Sequence, residues 1–331
     1  MKQLLIKLIE CQKLTFAESK SLMYGIAQNE VNDAQIAAIL TAFLIRPISI
    51  EELRGFREAL IELAIRVNLN DGYGIDLCGT GGDGKDTFNI STLTTFVLAG
   101  AGIKIAKHGN YGVSSTCGSS NILEHFGYKF STDSDKLKNE IDKSGVCFLH
   151  APLFNPAMKN VAPVRRALKI KTFFNMLGPM VNPSFPSKQL IGVYSLELAR
   201  LYNYLYQQSS MKYMIIFSLD GYDEVSLTSD FKYILNGVEQ IVSPETLNYK
   251  RSAPSELSGG KSVPEAASVF IKILKGEGTR AQNDVVTVNS EMALKCYYPL
   301  KSFEECREIA SDSISGGKAY KSFIKLIELQ S

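Results

Sequence analysis

The chain has 331 residues, 45% of them hydrophobic and 21% charged, with a formal net charge of +2. That length suits one large domain or two unequal ones with a sizeable core. The near-neutral charge excludes a global basic field for nucleic acid, so any anion site must be local. The opening stretch MKQLLIKLIECQ alternates charged and apolar residues at helical spacing and lacks a signal-peptide core and cleavage site. No apolar run approaches the ~18 residues of a membrane span, so a membrane partner is not expected. The six cysteines, Cys11, Cys78, Cys117, Cys147, Cys296 and Cys306, form no C-x-x-C pair. They read as reduced thiols of a cytoplasmic protein rather than as a zinc site or disulfide framework.

The first seventy residues predict helices with their caps written in. Thr15 to Glu18, Asn32 to Gln35 and Ser49 to Glu52 each place a capping residue three positions before Glu or Gln. Each precedes apolar residues at 3–4 spacing, such as Leu53, Phe56, Leu60 and Leu63. This helical unit carries no candidate chemistry and is too small to be very stable alone, so it must pack on the rest of the chain or on another copy. From Tyr73 onward, short apolar segments (73–78, 103–106, 146–150, 190–194, 213–217 and 285–288) alternate with helical stretches. The expected fold is α/β: a small helical N-terminal domain over 1–70, then a larger α/β domain over 71–331 with a mostly parallel central sheet. The Pro- and Asn-rich stretch 151–183 interrupts the alternation and is expected to cross back and complete the helical domain.

The first strand leads into 76-DLCGTGGDGKDTFNIST-92. Its G-x-G-x-x-G spacing has the strand that a dinucleotide fold needs, but no Asp or Glu occurs between Asp86 and Glu124 to hold a ribose. An aspartate inside a pyrophosphate loop would also repel it unless metal or sugar hydroxyls intervene. The better reading starts the helix near Ser91, with 89-NIST-92 at its cap and its free N–H groups making an anion seat for phosphate. Next, 107-KHGNYGVSSTCGSS-120 puts Lys107 at the carboxyl end of a strand, beside a second polar, glycine-rich loop. His108 stays open between a structural and an acid–base role. In 220-DGYDEVSLT-228, Asp223 and Glu224 are adjacent carboxylates at a strand end. Such a pair is costly unless solvated or bound to a cation, and with phosphates nearby Mg²⁺ is the natural one. The residues alone indicate a Mg-dependent transferase or binder of a phosphorylated sugar.

The loop GTGGDG…TFNIST, the KHGN…VSS loop, the segment 163-PVRRALKIKTFFNMLGPMVNP-183 and the DEVS element resemble, in order and spacing, the anthranilate phosphoribosyltransferase family of tryptophan biosynthesis. The resemblance covers essentially the whole chain. It implies a helical and an α/β domain with the substrates meeting at the hinge, and a homodimer through the helical domain. It also implies a reaction in which the amine of anthranilate displaces diphosphate from phosphoribosyl diphosphate (PRPP).

Carried over by position, Gly79, Gly82, Asp83 and Thr87 would line the PRPP loop, and Asn89, Ile90, Ser91 and Thr92 would bind its phosphates. Lys107, His108, Gly109, Asn110, Tyr111 and Gly112, then Val113, Ser114, Ser115 and Ser119, would complete that site. Ser91, Asp223 and Glu224 would hold magnesium, two ions per subunit. Gly79, Asn110 and Arg165 would contact anthranilate, and no covalent or obligatory acid–base residue is implied. Where the family usually has His before Pro-Ala-Met, this chain has Asn155, which puts one acceptor contact in doubt. The alternatives are a pyrimidine-nucleoside phosphorylase, which needs no magnesium-held diphosphate, and a non-catalytic homologue that binds a phosphate-rich ligand.

Overall fold

The computed structural model describes residues 1–69, 74–112 and 116–330. The predicted break at 70/71, Tyr73 of the first predicted strand, and the site candidates Val113, Ser114 and Ser115 lie outside the described residues, as does the terminal Ser331.

The chain opens with α1 (Lys2–Ile9), α2 (Phe16–Ala27), α3 (Asp33–Ile45) and α4 (Ile50–Leu63). Reciprocal capping boxes start α2, α3 and α4 at Thr15, Asn32 and Ser49, as the spacing predicted. Each box satisfies two backbone donors that a helix start leaves free. Leu22, Met23, Ile36, Ile39, Leu53, Phe56 and Leu60 fill the space between these helices and are buried.

The α/β part follows with β1 (Asp76–Gly79), α5 (Ile90–Gly100), β2 (Ile105–Gly109), α6 (Ser119–His125), α7 (Ser134–Ser144) and β3 (Val146–His150). The stretch 151–183 then forms α8 (Ala151–Phe154), α9 (Pro156–Leu168) and α10 (Phe174–Leu177). It packs on the N-terminal helices: the Phe173 ring stacks on Phe56 with centroids 4.7 Å apart and lies 4.8 Å from that of Phe43. Asn155 caps α9 by accepting from Met158 N at 3.3 Å and donates to Leu60 O at 2.8 Å, joining α9 to the end of α4.

Next come β4 (Lys188–Gly192), α11 (Leu196–Gln207), β5 (Lys212–Ser218), β6 (Phe231–Leu235) and β7 (Val238–Val242). The chain closes with α12 (Val263–Leu274), α13 (Arg280–Tyr297), α14 (Phe303–Ser315) and α15 (Lys318–Glu328). The main sheet runs β1-β4-β5-β6-β7, with β1, β4 and β5 parallel and β6 and β7 added antiparallel. A second, parallel pair joins β2 to β3. Helix α5 lies in the largest core with Phe96, Phe270 and Phe323 packed edge-to-face.

One expectation fails and one element is new. The strand predicted at 285–288 is the middle of α13, where Val285, Val286 and Val288 are all buried; neighbours on several sides explain an apolar run without strand alternation. The hairpin β6–β7 was not anticipated, although 231-FKYILNGVEQIV-242 places Asn236 and Gly237 at its turn, both with positive φ.

Candidate functional site

Gly81 and Gly82 follow β1 with φ of +62° and +74°, a conformation costly for residues with a Cβ. They carry the chain across the carboxyl ends of β1 and β4 and leave its backbone exposed to a cleft. The cleft has two connected parts, of about 210 Å³ and about 150 Å³, sharing Gly79, Gly81, Gly82 and Ser91.

The smaller part contains Asp83, Thr87, Asn89, Thr92, Asp223 and Glu224. Helix α5 starts at Ile90, one residue before the predicted position, and Asn89 makes no side-chain cap; its amide donates instead to Cys117 O at 2.9 Å. The Ser91 N–H is taken by Glu224 Oε1 at 3.2 Å from across the cleft. Ile90 does not line the cleft, because its side chain is buried in the α5 core.

The carboxylates are held from several sides. Asp223 Oδ2 accepts from Gly81 N at 2.6 Å, and Ser218 Oγ donates to the Glu224 carbonyl at 2.7 Å. Gly79 and Gly192 face each other in register on β1 and β4. A Cβ on Gly192 would lie 1.6 Å from the Asp223 carbonyl oxygen, and one on Gly79 would lie 2.5 Å from Asp223 Oδ2. Two glycines thus make the slot in which the loop sits. Burial pushes the Asp223 carboxyl up to about 7, with the Asp83 charge adding to it. Burial likewise raises Glu224 well above the carboxylate range, with Asp223 and then Asp83 contributing. No ion pair among the described residues involves Asp83, Asp223 or Glu224.

Converging, unpaired carboxylates with the Ser91 hydroxyl nearby are a donor set that fits Mg²⁺, a hard cation that takes one or two carboxylates and completes its shell with phosphate oxygens and water. Among the described residues no group of three His, Cys, Asp or Glu side chains makes a dedicated all-protein cage.

The larger part holds Lys107, His108, Gly109, Asn110, Tyr111 and Gly112 on one side and Met158, Arg165, Phe174, Asn175, Gly178 and Pro179 on the other; Ser119 lines both parts. Lys107 lies within β2 rather than after it, with its ammonium buried between β1 and the start of α5. It donates to Leu77 O at 2.6 Å and to Ser91 Oγ at 3.4 Å. The buried Asp76 carboxylate helps to compensate its charge, and Asp76 is itself held by Gln189 Nε2 at 2.9 Å.

His108 Nδ1 lies 3.0 Å from the Gly178 carbonyl, which can only accept, so Nδ1 carries the proton and Nε2 is left as an acceptor. Burial pushes this imidazole down to about 4, so it is neutral at pH 7 and cannot serve as a general acid there.

Arg165 Nη2 donates to Asn175 Oδ1 at 3.0 Å, while its buried Nε has no partner. Burial lowers this guanidinium to about 10, still cationic at pH 7. Asn155, occupied by α4 and α9, does not line the cleft. Sequence reasoning missed Met158, Phe174, Asn175, Gly178 and Pro179; the Pro- and Asn-rich character of 151–183 was the available signal, but no spacing rule points those positions inward.

A helical bundle joined to an α/β domain, with a glycine-rich, carboxylate-bearing cleft, defines the class of two-domain glycosyl transferases. The family model described as "Glycosyl transferase family, a/b domain" matches residues 72–320, and "Glycosyl transferase family, helical bundle domain" matches residues 2–64. The chain is 54% identical to the anthranilate phosphoribosyltransferase of Flavobacterium johnsoniae and 53% identical to that of Christiangramia forsetii, covering 99% of both chains in each case. The solved anthranilate phosphoribosyltransferase of Thermus thermophilus has 29% identity and a TM-score of 0.85, with 98% of each chain covered. That of Saccharomyces cerevisiae, in complex with PRPP and Mg, is alike in fold at 24% identity and a TM-score of 0.89, over 98% of this chain and 96% of the yeast one. The chain belongs to the anthranilate phosphoribosyltransferase family.

Proposed function

We propose that the chain transfers the phosphoribosyl group of PRPP to the amine of anthranilate, giving N-(5-phosphoribosyl)anthranilate and diphosphate in tryptophan biosynthesis. Family membership at about half identity over nearly the full length supports this reading. The observation that carries it is a single cleft joining carboxylates without ion-pair partners at one end to the Arg165 guanidinium at the other.

In this reading Gly79, Gly82, Asp83 and Thr87 line the PRPP loop, and the backbone approaches the phosphates closely because Gly82 carries no side chain. Asn89, Ser91 and Thr92 bind phosphate at the α5 terminus, where Ile90 can contribute only its backbone. Lys107, His108 and Gly109 at the end of β2, the following residues 110–112 and Ser119 complete the PRPP site; Val113, Ser114 and Ser115 belong to the same proposal. Asp223, Glu224 and Ser91 would hold Mg²⁺, two ions per subunit, whose chemistry is to neutralise charge on the departing diphosphate.

The aromatic amine is neutral and already has a lone pair, so the chain's task at the acceptor end is orientation. Arg165 grips the anthranilate carboxylate with its guanidinium, Asn175 holds that guanidinium in place, and Gly79 and Asn110 complete the contact. His108 Nε2, unprotonated, offers an acceptor in the same cavity. No side chain forms a covalent intermediate, and the substrates are held together away from water that would otherwise hydrolyse PRPP.

The helical domain is proposed as discontinuous, 1–70 with part of 151–183; the Phe43–Phe56–Phe173 cluster supports it. A homodimer through this domain is supported by Ile6, Ile9, Leu44 and Ile45, exposed on α1 and α3. No helix among the described residues is long and apolar enough to cross a membrane, and a cytoplasmic location is proposed.

The test mixes protein, anthranilate, PRPP and Mg²⁺ and follows loss of anthranilate fluorescence. Expected is a loss that depends on all three additions. No loss with intact PRPP refutes the assignment, and release of free base from thymidine plus phosphate would favour the phosphorylase.

A further inference from the structure

The loop bearing Asp223 and Glu224 is also held from behind, by a residue of α13 outside every motif of the cleft. Asn289 is 2% exposed. Its Nδ2 donates to the Val225 carbonyl at 2.8 Å, and its Oδ1 accepts from the Val225 N–H at 3.1 Å. One side-chain amide therefore pairs with both polar groups of a single backbone residue, as a neighbouring strand would. Its second amide hydrogen goes to Val285 O, 2.8 Å away in the preceding turn of α13.

Val225 directly follows Glu224 and is fully buried, so its peptide groups have no access to water. Ser218 Oγ takes the Glu224 carbonyl and also accepts from Ser226 N at 3.2 Å, leaving Asn289 as the partner of the residue between. Asn289 also reaches a small cavity behind the carboxylates, shared with Glu224, Ser91 and Thr94.

We propose that Asn289 is a positioning residue, whose side-chain amide fixes the Val225 peptide and thereby the direction in which Asp223 and Glu224 present their oxygens. The inference rests on the reading that these carboxylates hold magnesium on the diphosphate. A loop backbone held before the cation arrives spares the ordering cost that metal binding would otherwise have to meet, and keeps both carboxyls aimed at one point. A hydrogen-bonded side-chain amide supplies that hold at no cost in charge, where a lysine or arginine would compete with the cation.

Two variants separate this role from mere support of α13. Asn289→Ala removes all three hydrogen bonds. Asn289→Ser can bond back to the carbonyl four residues earlier, as serine does in helices, which restores the Val285 partner but cannot pair with both Val225 groups. In metal-free protein, hydrogen–deuterium exchange over 219–227 is expected to speed up about tenfold or more in both variants, while α13 stays protected in the serine variant. In turnover assays the serine variant is expected to need roughly tenfold more Mg²⁺ for half-saturation, with the anthranilate KM within about twofold of wild type.

Unchanged exchange over 219–227 together with an unchanged Mg²⁺ requirement in the serine variant overturns the proposal. So does an equal rise in the KM of both substrates without a metal effect. If the wild-type protein turns over fully without Mg²⁺, the metal reading itself fails, and exchange over 219–227 still decides whether Asn289 holds the loop.

Discussion

Gly192→Ala is the most direct test of how the carboxylate loop is seated. The introduced Cβ would lie 1.6 Å from the Asp223 carbonyl oxygen and 2.8 Å from its carbon, where ordinary contact begins at 3.4 Å. The obstacle is backbone, and no side-chain rotation relieves it. The Asp223 carbonyl must retreat by about 1.8 Å, or β4 must separate from it by as much. Overpacking of this kind costs roughly 1–3 kcal/mol of stability, so the variant is expected to fold. A displacement of about 1 Å in a positioning element can cost on the order of 100-fold in rate. The expected result is therefore a fall in kcat/KM of about 100-fold or more, with a raised Mg²⁺ requirement.

The anthranilate fluorescence assay across a Mg²⁺ titration reads both quantities. Gly55→Ala is the control, because its Cβ would meet Phe16 O at 2.4 Å in the helical bundle, far from the carboxylates in the chain. It should cost comparable stability and leave the Mg²⁺ requirement alone. Wild-type turnover and metal dependence in Gly192→Ala would refute the slot as a positioning device.

Asp223→Asn combined with Glu224→Gln should lower kcat about 1,000-fold, while thermal stability holds or rises because buried like charges are removed; unchanged kinetics would rule out the metal role. Arg165→Ala should raise the anthranilate KM by roughly 10- to 100-fold, the worth of a charge-assisted hydrogen bond, with the PRPP KM nearly constant. The stability that wild type holds over a His108→Gln, His150→Gln variant should shrink as the pH drops from about 6.5 to about 4, a comparison in which the opposite contribution of the raised Asp223 and Glu224 carboxyls cancels. Burial holds His108 and His150 down at about 4, so the unfolded chain binds protons that the folded chain refuses. Each histidine contributes up to about 3 kcal/mol of that loss. Urea denaturation of both proteins at several pH values checks it, and a difference that stays flat over that range would contradict the buried, neutral state.

The helical domain was legible because its information is local: Thr15, Asn32 and Ser49 meet their Glu and Gln partners within one turn. The cleft's loops were legible for a related reason, since glycines, amides and acids at strand ends have few structural uses together. What escaped depends on contacts distant in sequence. Valines 285, 286 and 288 carry β-forming side chains, yet tertiary burial makes them helical, and placing a strand there hid Asn289 one residue further on. The acceptor wall from Met158 to Pro179 comes from a segment whose direction is fixed by Phe173 against Phe56, a contact more than a hundred residues long in sequence. The Asn-Gly turn of β6–β7 is different: its signal was local and was overlooked.

The bond between Ser91 N and Glu224 Oε1 has a consequence for ligand choice. A helix start ordinarily welcomes any small anion, but here the protein's own carboxylate already answers that amide. Free inorganic phosphate arriving alone must displace that side chain from the amide, with no cation to hold the displaced carboxyl. A polyphosphate that brings its own divalent cation meets the same carboxylate as a ligand instead of a rival. One acidic side chain thus screens entrants by whether they come with a counter-ion.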